Sequence, residues 1–306
     1  MKTDVPSMLT TIEKEYLYRY AKQDFKGLGE IVDLGCWLGS STVPLAQGLK
    51  ENSIATNEHT IRAYDIFIWE SWMDQLSCVA GTFLEGKFQP GESFYDECLA
   101  QTYPWRKQIQ FCPSDLTQTT WTDGAIEFLF IDAMKSWDLA NSVINNFFPS
   151  LIPEHSIVVH QDFTHYYTYW IHLTMYRFRE YFDAIYDIPY SASLVFKYIK
   201  QIPEAELQQF YSVESFDVDE INAAFDYSAS LVSPEKRAVI LAGKIKAFTE
   251  LGTDWQKYRV DSALADLHEE IERLQSLASI QQKGWSYYPK KIILKLSQIA
   301  RYTLRK

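Results

Sequence analysis

Cysteine is scarce in this chain of 306 residues, and the four present, Cys36, Cys78, Cys98 and Cys112, form neither a Cys-x-x-Cys pair nor a metal-ligand spacing. That excludes a disulfide-stapled module and a structural zinc site, and it fits reduced core thiols in a cytoplasmic protein. Long apolar runs are missing too: nowhere do about 18 consecutive apolar residues stand together. The opening Met-Lys-Thr-Asp-Val-Pro lacks the apolar core of a secretory signal. A cytoplasmic chain, at most peripheral to a membrane, is the expectation. Positive charge is in deficit, with 29 Lys and Arg against 40 Asp and Glu and a net charge of -11. A general nucleic-acid binder presents basic surface, so nucleic acid is not an expected partner. Also absent is the Gly-x-Gly-x-x-Gly of nicotinamide dinucleotide folds: Trp37 stands where a middle glycine would.

What the chain does have is apolar mass. Hydrophobic residues make up 47% and aromatics 15%, enough for a folded body with one large core or two modest ones. Residues 29–41, Gly-Glu-Ile-Val-Asp-Leu-Gly-Cys-Trp-Leu-Gly-Ser-Ser, read as strand, glycine turn and helix. Gly35 lets the backbone come close to a ligand, Gly39 lets a helix start beside the strand, and the helix's free N–H groups favour a polar or anionic group. Further strands are expected at 61–66, 109–112, 127–131 and 156–159. Helices are expected at 9–26, capped by Thr10 or Thr11, at 40–48, 136–151 and 170–182, with a helix plus a loop over 69–103. Two β-rich runs, 184–187 and 193–199, are joined closely enough to form an antiparallel hairpin. Polar residues recur after the strands, at Asp33, Asp65, Ser114-Asp115, Asp132 and His160-Gln161-Asp162. Ligands of an open α/β sheet bind outside the carboxyl ends of its strands, so this is where a site is expected.

The order Asp33-x-Gly35-x-x-x-Gly39 resembles motif I of the class I S-adenosylmethionine (SAM) methyltransferases, and the likeness covers about 10–200. It implies an α/β fold with a Rossmann-like seven-stranded, mostly parallel sheet, a C-terminal antiparallel hairpin and, in this chain, a helical C-terminal extension. It implies SAM as cofactor. Asp33, Gly35, Cys36, Trp37, Gly39, Ser40 and Ser41 form the turn that passes its methionine part. Asp65 holds the ribose hydroxyls, and Ser114 and Asp115 contact the adenine. The chain looks most like the macrocin-type O-methyltransferases of sugars and natural products. That likeness puts the strand-four acid at Asp132 and an acidic metal pair at Gln161-Asp162, with Mg²⁺ the metal. Because Gln161 is neutral, the metal set Asp132, Gln161 and Asp162 is weakened, and His160 is expected to act as base in a metal-free reaction. Catalysis is thus expected at His160, Asp132 and Asp162, with His165 and His172 facing the acceptor or serving as ordinary helix histidines. The implied reaction is methyl transfer from SAM to a hydroxyl of a small-molecule or glycan acceptor. A non-catalytic assembly protein keeping the same core is the alternative.

Three regions are expected: 1–200 binding the cofactor, 201–252 a helical extension, and 253–306 an amphipathic helix with a basic tail. Short helices are read at 204–209 and 218–225, and a longer one at 233–251. Val260, Leu264, Leu267, Ile271, Leu274 and Ala278 form an a/d stripe, either the seam of a homodimer or a helix packed on its own domain. From 281 onward come seven Lys or Arg and no acid, interleaved with Trp285, Tyr287 and Tyr288. This tail either lies on an anionic membrane or acidic partner, or folds back on the acidic body.

Overall fold

The protein, described here from a computed structural model, is placed for residues 5–55, 60–251 and 265–273. The basic tail 281–306 lies outside the described residues, as does the a/d stripe apart from Leu267 and Ile271. Both of these side chains are buried.

Seven strands form one sheet in the order β3-β2-β1-β4-β5-β7-β6. They are β1 Glu30–Leu34, β2 Ile61–Asp65, β3 Ile109–Pro113, β4 Ile126–Ile131, β5 Ile157–His160, β6 Phe182–Asp187 and β7 Leu194–Tyr198. The first five pair in parallel, and β7 runs antiparallel to both β5 and β6. This is the Rossmann-like sheet with a reversed late strand that the sequence leads one to expect. Central β4 is buried along its whole length, because helices cover both faces of a parallel sheet. Its alternation divides the core: Phe128 and Phe130 join α1 (Thr11–Arg19) and α2 (Thr42–Glu51), while Leu129 and Ile131 join α4 (Trp137–Asn146) and α5 (Tyr169–Arg177). Fully burying each such side chain contributes roughly 1.5–3 kcal/mol.

Local chemistry sets the ends of the helices. Thr10 caps α1 in a capping box with Glu13, and the chain then widens into a π-helical turn at Tyr20–Asp24 where a continuous α-helix is expected. The helix expected over 136–151 stops at Asn146, because Pro149 cannot continue an α-helical ladder and Phe148–Ser150 form a 3₁₀ turn instead. Phe182, expected to end a helix, begins β6. Between β2 and β3 stands one helix of note, α3 (Tyr95–Thr102).

After α6 (Glu204–Leu207), the extension consists of α7 (Val218–Ser230) and α8 (Pro234–Leu251). Ile221, Ala224, Phe225, Ile240, Ala247 and Phe248 share one core with the sheet and α5. Buried Lys236 at the start of α8 binds Asp187 and, at 2.7 Å, the carbonyl of Ile188, so the extension is fastened to the β6–β7 connection. Among the described residues, no helix is long and apolar enough to cross a membrane.

Candidate functional site

At the carboxyl end of β1, Gly35 and Gly39 both take φ near +90°, the left-handed region. A Cβ on Gly35 would lie 2.8 Å from the backbone oxygen of Asp132, and the Asp132 amide donates to Leu34 O at 2.8 Å. The pressure for glycine here therefore comes from the neighbouring strand end. Asp33 is fully buried and points back into the turn: Ser41 Oγ reaches both its oxygens, at 2.8 and 2.9 Å, and Thr42 Oγ1 reaches Oδ2 at 2.5 Å. Burial pushes its carboxyl up to about 6, against the hydroxyl bonds of Thr42 and Ser41. Asp33 thus ties strand to helix. Ser40 shares a hydrogen bond with Ser7 at 2.8 Å, and burial holds the Cys36 thiol protonated, well above its usual range.

Asp65, at the end of β2, is also committed to the turn. Its Oδ2 accepts the Trp37 amide at 2.9 Å and its Oδ1 the Phe67 amide at 2.8 Å. Both donors sit at positive φ, 46° and 53°, a conformation costly for residues with a side chain and frequent at functional sites. The chain then makes a closed excursion whose stem is pinned by Trp69 N to Glu92 O at 2.8 Å and Phe94 N to Phe67 O at 3.0 Å. The indoles of Trp37 and Trp69 stack at 6.5 Å, and their ring nitrogens are buried without a hydrogen-bond partner among the described residues. Ser114 donates its amide to Asp65 O at 3.0 Å, and Asp115 caps a 3₁₀ turn through the Thr117 amide. The expected cofactor residues therefore do gather at adjacent strand ends, several of them spending their side chains on the turn itself.

Beside the turn lies a second cluster, at the ends of β4 and β5. Lys135 reaches Asp132 Oδ1 at 2.6 Å and Asp162 Oδ2 in a still shorter contact. In the orientation that satisfies its hydrogen bonds, the Gln161 amide nitrogen donates to Asp162 Oδ1 at 2.9 Å and to Asp132 Oδ1 at 3.1 Å. Burial opposes the Lys135 charge, but the two carboxylates hold its ammonium protonated, above the usual lysine range. Burial pushes the Asp132 carboxyl up; Lys135 pulls it back, and the Asp162 charge adds to the rise. The Tyr167 hydroxyl, also raised by burial, feels all three charges. The residues expected to bind Mg²⁺ do not fit a metal ion as they stand. A lysine already supplies the positive charge between the carboxylates, and Gln161 presents a donor where a ligand oxygen is needed. No group of three His, Cys, Asp or Glu suited to a metal occurs among the described residues.

Lys135 is the residue the sequence reading missed. Its signal was the spacing Asp132-Ala-Met-Lys135, in which an acid at a strand end is followed three positions later by a cation.

His160, expected as the base, is corrected by its burial. Only 1% exposed, it packs on Phe196 with both ring nitrogens unpartnered among the described residues, and burial pushes it down to about 3. Strand alternation explains why: His160 projects into the layer beneath the sheet. His172 is likewise fully buried, between Phe163 and Phe225, and cannot face an acceptor. His165 lies between the rings of Tyr166 and Tyr167. Clefts of about 520 and 470 Å³, lined by Gln201 and Pro203 and by Trp121 and Pro153 among others, open at the amino ends of the parallel strands, away from this cluster.

No protein-family model and no curated protein sequence matches the chain. Among solved structures it resembles the O-methyltransferase NovP, at 14% identity over 64% of this chain and 83% of that one, with a TM-score of 0.49. It also resembles a cyclopropane-fatty-acyl-phospholipid synthase-like protein from Lactobacillus casei ATCC 334, at 14% identity over 84% and 85% of the two chains (TM-score 0.32). A third likeness is to StiE O-MT residues 942–1257, at 11% identity over 84% and 68% (TM-score 0.29).

Proposed function

We propose that the protein is a SAM-dependent O-methyltransferase acting on a hydroxyl of a sugar or other small natural product. One observation carries this reading: the Asp132–Lys135–Asp162 cluster stands directly against the glycine turn, the Asp132 backbone touching Gly35. A group held by the turn and a hydroxyl held by the cluster would be neighbours, and positioning supplies most of what methyl transfer requires. The residues fit the cofactor. The turn 35–39 would pass its methionine part, with the Trp37 indole N–H, unpartnered among the described residues, as a spare donor, and Asp65 and Asp115 stand at the next two strand ends. When bound, SAM supplies an electrophilic methyl group on a sulfonium.

The chain's own residues then act on the acceptor. The Lys135 ammonium, its side chain 39% exposed, offers a fixed positive charge to an oxygen that is losing its proton. The carboxylate of Asp132, held above its usual range by burial, is the proton acceptor. Gln161 keeps both carboxylates oriented.

Isothermal calorimetry tests the reading: SAM and S-adenosylhomocysteine should bind in the micromolar range, and no heat at millimolar ligand would sink it. A second reading, an assembly protein retaining this core without transfer, is favoured by one observation. Both oxygens of Asp65 already accept backbone amides, as in a turn fixed for structure. Methyl transfer to any acceptor would set that alternative aside.

A further inference from the structure

Helix α5, backed by the extension, supplies the groups that close on the loop carrying Lys135. One residue before the lysine, the Met134 carbonyl accepts the Trp170 indole N–H at 2.8 Å. Two residues after it, Trp137 Nε1 donates to Tyr169 Oη at 2.8 Å, and Tyr169 Oη donates in turn to Glu250 on α8. Trp137 also stacks on Phe216, 6.1 Å away and at 30°, and the Arg177 guanidinium covers the Phe216 ring at 3.9 Å. Arg177 is itself held by both oxygens of Glu220, at 2.8 and 2.9 Å.

The direction of this chain of donors is fixed. Indole nitrogen can only donate, so Tyr169 Oη must accept from Trp137 and give its own proton elsewhere, and Glu250 is the acceptor that takes it. The Tyr169 ring is fully buried, so its hydroxyl is held in one direction, towards Glu250, and losing that acceptor releases it. The loop 133–136 has no helix or strand ladder of its own. Where Lys135 starts from therefore depends on how firmly Met134 and Trp137 are held.

We propose that Glu250 is a positioning residue for Lys135, acting through Tyr169 and Trp137, so that helix α8 of the C-terminal extension is part of the reacting site's framework. The consequence for catalysis rests on the methyl-transfer reading; the coupling itself does not.

Trace acetylation with acetic anhydride across a pH series, read by mass spectrometry on the full-length protein without SAM or acceptor, measures both the reactivity and the titration of the ion-paired Lys135. Exposed Lys200 serves as the internal reference. Glu250→Leu and Tyr169→Phe should each raise Lys135 reactivity relative to Lys200 about tenfold, the worth of one hydrogen bond, and lower the titration of Lys135. Glu250→Gln keeps an oxygen acceptor and should stay near wild type, and the double variant Tyr169→Phe/Glu250→Leu should add nothing to either single one. Val232→Ala, a core truncation away from this chain, should leave Lys135 at its wild-type reactivity. Equal reactivity in wild type, Tyr169→Phe and Glu250→Leu would overturn the proposal, as would an equal rise in Val232→Ala. A positive result beside wild-type protein that ignores SAM would keep the coupling and remove the methyl-transfer reading.

Discussion

The backbone amide of Trp37 donates to Asp65 at 2.9 Å while Trp37 itself sits at φ 46°. The acid ending β2 thus holds open the turn ending β1, and Phe67, at φ 53°, is held by the same carboxylate. Each left-handed residue with a side chain costs about 1–2 kcal/mol, and charge-assisted hydrogen bonds of about 1.5–3 kcal/mol offset it. Asp65→Ala should lower unfolding free energy by about 2–4 kcal/mol and weaken SAM binding with it. Asp65→Asn, which keeps one acceptor, should fall between. Urea unfolding and calorimetry check both, and full stability in Asp65→Ala would mean that the turn is held by something else.

The cluster at Lys135 predicts a different separation. Lys135→Met removes the positive charge facing the acceptor and should reduce methyl transfer by about 10²–10⁴ while changing SAM affinity little. Release of S-adenosylhomocysteine with an acceptor that wild type methylates is the readout. Without Lys135, Asp132 and Asp162 face each other uncompensated and the already raised Asp132 carboxyl rises further. A carboxyl raised on folding stabilises at low pH and loses that contribution as pH rises, so Lys135→Met should be more destabilised at pH 8 than at pH 5. EDTA should leave the wild-type rate unchanged. Loss of activity in EDTA, restored by Mg²⁺, would show that the lysine yields its place to a metal.

Much of the fold was legible because its signals are local. The nearly continuous apolar run of β4 and the strand–glycine–helix order of 30–51 each follow from period and turn chemistry, and so does the Thr10 cap. The site was legible as a set of positions and not as a set of roles. Asp33 and Asp65 were correctly located at strand ends, yet sequence could not say that their oxygens turn inward to hydroxyls and amides. His160 was read as a base because it adjoins Gln161 and Asp162, but β5 ends at His160, whose ring packs on Phe196 in the core, while Gln161 and Asp162 lie in the turn beyond the strand. Lys135 was overlooked because its partner Asp162 is 27 residues away and only the sheet brings them together. The coupling of Glu250 to Trp137 spans still more chain and leaves no periodic trace.

Asp33 supplies a test with a determined sign. Its folded carboxyl, near 6, is raised from 3.8, so the stability it contributes is full below about pH 4 and disappears as pH rises through 6. Removing its donors with Ser41→Ala/Thr42→Val leaves a buried carboxylate unpaired and raises it further. The variant should lose about 1–3 kcal/mol per lost bond at pH 8 and recover much of that at pH 5. Urea unfolding at the two pH values reads the difference. An equal loss at both would show that the hydroxyls matter for packing alone.

The buried histidines make the opposite prediction. Burial pushes His160 to about 3, and His172 to about 3 with a smaller push from His160, against 6.5 in the unfolded chain. Their folded values are depressed, so each stabilises the fold above pH 6.5 and loses that contribution as pH falls from 6.5 towards 3. The loss is about 1.4 kcal/mol per pH unit for each, and Asp33 returns a similar amount only between about 6 and 4. Because the ring nitrogens have no partners among the described residues, His160→Leu/His172→Leu strands no neighbouring donor or acceptor. The double variant should therefore match or exceed wild type at pH 7.5, retain methyl transfer, and gain on wild type by about 3 kcal/mol for each unit of acidification below 6.5. Parallel pH dependences for the two proteins in urea unfolding would mean that these histidines take up protons without opposition. A loss of transfer in the folded His160→Leu protein would return His160 to the reacting site.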